Sequence, residues 1–113
     1  MLFEIMIEVK FAKQVGEFLQ RVDLKHRVKI IENIELATNN MNSNLLKKLN
    51  NEIWEFRTRI QGIHYRILCF WDKRDKDNTV IFCSNGFIKK SNKTALSEIT
   101  KAKKIHSSYF ALM

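Results

Sequence analysis

The sequence predicts an α+β fold: a small domain with a mainly antiparallel sheet, packed by an N-terminal helical hairpin and followed by a C-terminal helix. Three observations predict it. Residues 52–84 hold three runs in which apolar and polar side chains alternate, separated by turn signals, which is the pattern of meandering strands. Residues 11–37 instead place apolar side chains three or four positions apart, the period of a helix. Residues 94–109 return to that period. A chain of 113 residues supports a single core, so residues 1–113 are read as one domain.

In chain order, Leu2–Val9 reads as a first strand, with Phe3, Ile5, Ile7 and Val9 alternating against Leu2, Glu4, Met6 and Glu8. Phe11, Val15, Phe18, Leu19 and Val22 then fall on one side of a first helix, which Gly16 weakens slightly. Asp23 is placed to cap a second helix whose apolar stripe is Leu24, Val28, Ile31 and Ile34, with Leu36 or Ala37. That helix stops in T-N-N-M-N-S-N, residues 38–44, which are turn formers. Leu45, Leu46 and Leu49, with Lys47 and Lys48, make a short turn or the approach to the sheet.

In the first central run Trp54, Phe56, Thr58 and Ile60 share one face, and Glu55, Arg57 and Arg59 the other. Gln61-Gly62 marks a hairpin turn. His64, Arg66, Leu68 and Phe70 then lie opposite Tyr65, Ile67 and Cys69. Residues 72–78 form a solvated loop tip whose charges mostly cancel, and residues 79–84 a last strand. Asn85-Gly86 is a turn or bulge signal. Thr94 can cap the final helix, with Leu96, Ile99, Ala102, Ile105 or His106, and Tyr109 on its apolar side. Its outer side carries Lys101, Lys103 and Lys104.

Charge narrows the partners. The net charge is +8 and the isoelectric point near 9.7, which suits a polyanion. The surplus is uneven: residues 1–51 hold eight cations and six anions, residues 52–113 twelve and six. Cys69 and Cys83 have neither C-x-x-C spacing nor a ligand-histidine pattern, so they are read as buried thiols of a reduced compartment, with no metal and no cofactor expected. The N-terminus lacks the features of a signal peptide, and no apolar run reaches the ~18 residues of a membrane span. A cytoplasmic protein with no membrane partner is the expectation.

The pieces W-E-F-R at 54–57, Y-R-I-L at 65–68 and N-G-F-I-K-K-S-N-K-T at 85–94, followed by a basic amphipathic helix, form an ordered set. That set resembles the phage-derived HigB branch of the RelE/ParE-type toxins of bacterial type II toxin–antitoxin systems, over nearly the whole chain. Two positions depart from the usual pattern: Asn85 stands where His commonly precedes the glycine, and Ala95 where Pro opens the last helix. The first removes a candidate proton carrier.

The resemblance implies a RelE-like fold and an endoribonuclease, an mRNA interferase, that acts on mRNA in the translating ribosome. It also implies a small antitoxin partner, commonly of helix-turn-helix type. ParE-type toxins on the same fold inhibit DNA gyrase instead, and a basic nucleic-acid-binding module without toxicity is a third reading.

RNA cleavage of this type sends the ribose 2′-hydroxyl onto the adjacent phosphate, so fixed cations and proton carriers are what a protein can supply. Arg66 matches a family position associated with the phosphate. Arg57 is expected on the neighbouring strand beside it, since arginine grips phosphate oxygens with a planar fork. Lys89 and Lys90 add point charges, one of them a candidate acid. His64, two residues before Arg66, shares its face and is the histidine best placed for acid–base work. Arg59, Lys93, Lys101, Lys104 and Tyr109 are candidate RNA contacts. Glu55 reads as a structural ion-pair partner or a base. His26 reads as exposed, His106 as packed on the sheet, and Trp71 as the aromatic left most open beside its turn. Convergence of Arg57, Arg66 and Lys89 or Lys90 favours the nuclease; dispersal favours the inhibitor or the binder.

Overall fold

The computed structural model describes residues 6–40 and 44–112, the side chain of Met6 excepted. The chain runs β1 (Met6–Phe11), α1 (Lys13–Arg21), α2 (Leu24–Asn40), β2 (Leu46–Lys48), β3 (Trp54–Ile60), β4 (Ile63–Asp75), β5 (Asn78–Ile88) and α3 (Leu96–Ala111). The strands make one sheet in the order β1-β5-β4-β3-β2. Strands β2 to β5 are an antiparallel meander, and β1 joins its far edge parallel to β5. This is the α+β architecture the sequence predicts, with two helices ahead of the meander and one after it.

The strand period sorts side chains between two faces. Phe56, Tyr65, Ile67, Cys69, Ile81 and Cys83 point to the side where α1 and α2 supply Val15, Phe18, Leu19, Ile30, Ile34 and Ala37. Leu68, Phe70, Phe82 and Phe87 point to the other side, where α3 supplies Ile99, Ala102, Ile105 and Tyr109. Burying Phe70 completely contributes roughly 2 kcal/mol. Cys69 and Cys83 are free, buried register partners, and burial pushes both thiols above their usual range.

The hairpin between β3 and β4 turns on Gln61 and Gly62 with φ of 51° and 79°, the pair of positive values a two-residue I′ turn requires. Asp23 caps α2 by accepting the His26 N–H at 3.0 Å. A bulge lies in β5, where Leu68 faces Asn85 but Cys69 faces Cys83, leaving Ser84 as the extra residue.

Several expectations change. The first strand runs on to Phe11, and the part of it expected at residues 2–5 lies outside the described residues, as do residues 41–43 of the polar run. Lys47 and Lys48, read as a short turn or the approach to the sheet, belong to a short edge strand. The sheet also continues through most of the expected loop, since β4 reaches Asp75 and β5 starts at Asn78. The buried stripe of α2 is His26, Ile30, Asn33, Ile34, Ala37 and Thr38, while Leu24, Val28, Ile31 and Leu36 are exposed. The helix is rotated because its polar members find partners inside: the Asn33 amide donates to Thr58 Oγ1 at 3.1 Å. His26, expected at the surface, is buried between Tyr65 Oη and Gln61 Oε1, both 2.7 Å from its ring nitrogens. Thr94 does not cap α3; its N-cap is Ala95, without a side-chain hydrogen bond. The Thr94 hydroxyl goes elsewhere.

Candidate nucleic-acid interface

Helix α3 covers only part of its face of the sheet. Its start is pinned by Asn85, whose side-chain amide donates to Glu98 Oε1 at 2.9 Å and to the Glu98 carbonyl at 3.2 Å. Its far end is pinned where the Tyr109 hydroxyl donates to Asp72 Oδ2 at 2.8 Å. Beyond the start of α3 the same face continues along β3, β4 and the end of β5, and there the cations gather.

Register pairs Arg57 with Arg66 and Arg59 with His64, and it pairs Lys47 with Glu55 on the adjoining edge strand. The Lys89 N–H donates to the His64 carbonyl at 2.7 Å, which sets Lys89 beside the histidine. Directly opposed like charges on neighbouring strands are unfavourable, so a counter-charge is needed. Glu55, almost wholly buried, supplies it: Oε2 accepts from Arg57 Nε at 3.3 Å, Oε1 lies 3.3 Å from Arg66 Nε, and Thr94 Oγ1 donates to Oε1 at 3.0 Å. One carboxylate thus holds two guanidiniums and the loop ahead of α3.

The two arginines differ in exposure. The Arg57 side chain is 32% exposed, that of Arg66 only 7%. Arg66 Nη1 donates to the Tyr65 carbonyl at 3.0 Å, while its buried Nε has no hydrogen bond of good geometry. Burial draws its pKa down, Glu55 opposes that, and Arg57 adds to it. Arg57 is therefore the more accessible of the two guanidiniums, and Arg66 the buried one.

Above them His64, Lys89, Lys90, Ser91 and Asn92 line a cleft of about 300 Å³. The His64 pKa is lowered by desolvation and then by Arg59, Arg66 and Lys89, so its ring is neutral at pH 7 and can take a proton. The Lys89 pKa is lowered by desolvation first, then by Arg66, with Arg57 and Lys47 adding to the fall and Glu55 opposing it. Desolvation first and neighbouring cations second thus lower the pKa of an imidazole and an ammonium in one place.

The cleft and the face below it bring together Arg57, Arg59, His64, Arg66, Lys89 and Lys90. Lys93 lies on the following loop, exposed, its carbonyl accepting from Ser91 Oγ at 2.8 Å. Lys101 sits 3.7 Å from Glu98 on α3. Lys104 and Tyr109 lie toward the other end of that helix, around a hollow shared with Phe82 and Leu112. Tyr109 has its hydroxyl committed to Asp72 and its ring packed on Phe70 and Phe82, so packing accounts for it. Asn85 is buried under α3 and acts as a tether. Among the described residues no group of His, Cys, Asp or Glu is arranged to hold a metal, and no helix is long and apolar enough to cross a membrane.

The profile of a family described as phage derived protein Gp49-like (DUF891) matches residues 17–106, most of the chain. The chain belongs to the Gp49-like family. The matched span of this Gp49-like protein takes in every cation of the cluster, from Lys47 to Lys93. Its fold is similar to that of an arginine double mutant of the E. coli toxin RelE in the free state. The TM-score is 0.57 and the identity 13%, over 86% of this chain and 94% of that one. A search of curated proteins gives no match.

Two members of the cluster are only partly legible in the sequence. Lys47 lies on a three-residue edge strand, which is too short to show a period along the chain. Glu55 reads from the sequence as an ion-pair partner or a base, and nothing along the chain announces that two strands and a loop meet on its carboxylate.

Proposed function

We propose that this Gp49-like protein is the toxin of a type II toxin–antitoxin system, on the HigB branch of the RelE-type toxins, and that it cleaves mRNA in the translating ribosome. Residues 1–113 then make up one toxin domain acting in the cytoplasm. A small helix-turn-helix antitoxin is its neutralising partner. The reading is carried by one observation: Arg57, Arg66 and Lys89 converge with His64 beside an open cleft, instead of scattering into separate surface ion pairs. The likeness of fold to RelE and the ordered motifs add to it.

In this mechanism a phosphodiester lies over Arg57 with the cleft at its flank. Neutral His64 takes the proton of the ribose 2′-hydroxyl, whose oxygen attacks phosphorus. Arg57, with the Arg66 charge behind it, stabilises the negative charge growing on the non-bridging oxygens. Lys89 hands a proton to the departing 5′-oxygen, leaving a 2′,3′-cyclic phosphate on one fragment and a 5′-hydroxyl on the other. Arg59, Lys90 and Lys93 hold the flanking backbone. Glu55 touches no substrate; it positions the arginines.

Mapping mRNA 5′ ends after induced expression tests this. Cuts phased to codons are expected, reduced at least about 100-fold in Arg57→Ala, the usual cost of losing a donor to a developing oxyanion. Intact mRNA with loss of plasmid supercoiling would transfer the protein to the gyrase inhibitors.

A further inference from the structure

A second cleft lies near the junction of β2, β4 and α3, of about 440 Å³, lined by Lys48, Asn51, Glu52, Trp54, Trp71, Lys73 and His106. Of these, His106 on α3 reaches the cleft from the sheet face of Phe70 and Arg66. Trp54 and Trp71 pair in register with Cys69 and Ile81, whose side chains face α1 and α2, so both indoles point to the side opposite Arg57 and Arg66. We propose that this cleft binds an unpaired RNA nucleotide, its base against the indoles and its phosphates on Lys48 and Lys73; the proposal rests on the reading of the protein as one that works on RNA.

The two indoles are half-buried and meet edge to face, with centroids 5.8 Å apart and planes at 64°. The Trp71 indole N–H is buried without a hydrogen-bond partner, so no polar tether fixes that side chain. An exposed ammonium stands near each ring: Lys48 Nζ is 6.0 Å from the Trp54 centroid, and Lys73 Nζ is 5.1 Å from that of Trp71. Aromatic faces flanked by lysines are what a single-stranded nucleic acid uses, bases stacking while cations follow the backbone.

The volume falls within the roughly 300–1,000 Å³ usual for small-ligand sites. Asn51 and Glu52 add an amide and a carboxylate at the rim, and the Glu52 carboxylate lies 3.8 Å from His106 Nδ1. That carboxylate works against an acidic peptide but can accept a hydrogen bond from an exocyclic base amine. A peptide carboxylate would also gain little from two indole faces. The nucleotide can come from the substrate strand beyond the cut or from ribosomal RNA; the chemistry is the same.

The chain has only two tryptophans, and both line this cleft, so intrinsic fluorescence reports on it directly. Full-length protein is titrated with a short 2′-O-methyl oligoribonucleotide, which lacks the attacking hydroxyl, and separately with vacant ribosomes. Saturable quenching by the oligonucleotide is expected, with affinity falling about five- to tenfold in the Lys48→Ala/Lys73→Ala double variant. The salt slope of log affinity should shrink by about 1.4 in that variant, two phosphate contacts at ~0.7 each. Quenching by ribosomes alone, weakened by the same double variant, assigns the nucleotide to ribosomal RNA and sustains the proposal. Quenching by neither RNA, an unchanged affinity in the double variant, or equal quenching by oligoglutamate overturns it. Failure here with codon-phased cuts intact removes the cleft and keeps the nuclease; quenching without cuts does the reverse.

Discussion

Glu55 illustrates how one side chain organises the site. A buried carboxylate is costly unless paired, and here it faces two guanidiniums and accepts hydrogen bonds from Arg57 and Thr94. The return is that Arg57 and Arg66, register partners of like charge, stay side by side. The same crowding of cations acts on His64. Desolvation leads, followed by repulsion from Arg59, Arg66 and Lys89, and all of them lower its pKa from 6.5. The unfolded chain therefore binds the proton more readily than the folded one, so this histidine favours folding above pH 6.5 and loses that contribution as pH falls through its lower folded value. Catalysis follows the same sign, since only neutral His64 accepts a proton. Single-turnover cleavage should climb with a midpoint below pH 6.5 and hold level through neutrality, until Lys89 deprotonates at a value below 10.5. In His64→Gln the acid limb should vanish, leaving a low and flat rate. An acid limb that survives the substitution would assign the proton transfer to another group.

At the scale of elements, Gly86 shows why one short motif has its composition. A Cβ there would lie 2.6 Å from Phe18 Cδ2 and 2.7 Å from Ile67 Cδ1, so α1 can sit on β5 only over a bare backbone. Gly86→Ala should lower stability by about 1–3 kcal/mol through overpacking, read as a lower urea midpoint at unchanged slope. An unchanged midpoint would mean that α1 shifts freely on the sheet. Sequence alone announced much at this level, because strands β3 and β4 obey their period and Gln61-Gly62 carries its turn chemistry openly. What it hid was three-dimensional satisfaction. His26 and Asn33 look like surface residues until Tyr65, Gln61 and Thr58 are found opposite them. The whole stripe of α2 is misplaced without those partners. The parallel seating of β1 on β5 was equally invisible, since no local period encodes a partner about seventy residues away. In the site, the face shared by Arg57, Arg59, His64 and Arg66 was legible from alternation, whereas the depth at which Arg66 lies was not.

For the whole molecule, the net charge of +8 matters less than where its surplus is held. On the open face Arg57, Arg59, Lys89 and Lys90 are the cations accessible to a short strand, four phosphate contacts. The facing pair in the tryptophan cleft, Lys48 and Lys73, adds two more on the opposite side of the sheet. Each phosphate neutralised on a single strand releases counterion, which gives the log of affinity a slope of about −0.7 per contact against the log of salt. An RNA strand that engages only the open face should therefore show a slope of about −2.8, and one that also reaches the second cleft about −4.2. Filter binding of a 2′-O-methyl strand across a salt series measures it, using one length that spans a few nucleotides and another several times longer. The short strand should give the shallower slope and the long strand the steeper. Arg59→Ala, exposed and far from the indoles, should reduce both slopes by about 0.7. Should both lengths give one slope near zero, the cations would be serving solubility, and the gyrase-type reading would gain what the nuclease loses.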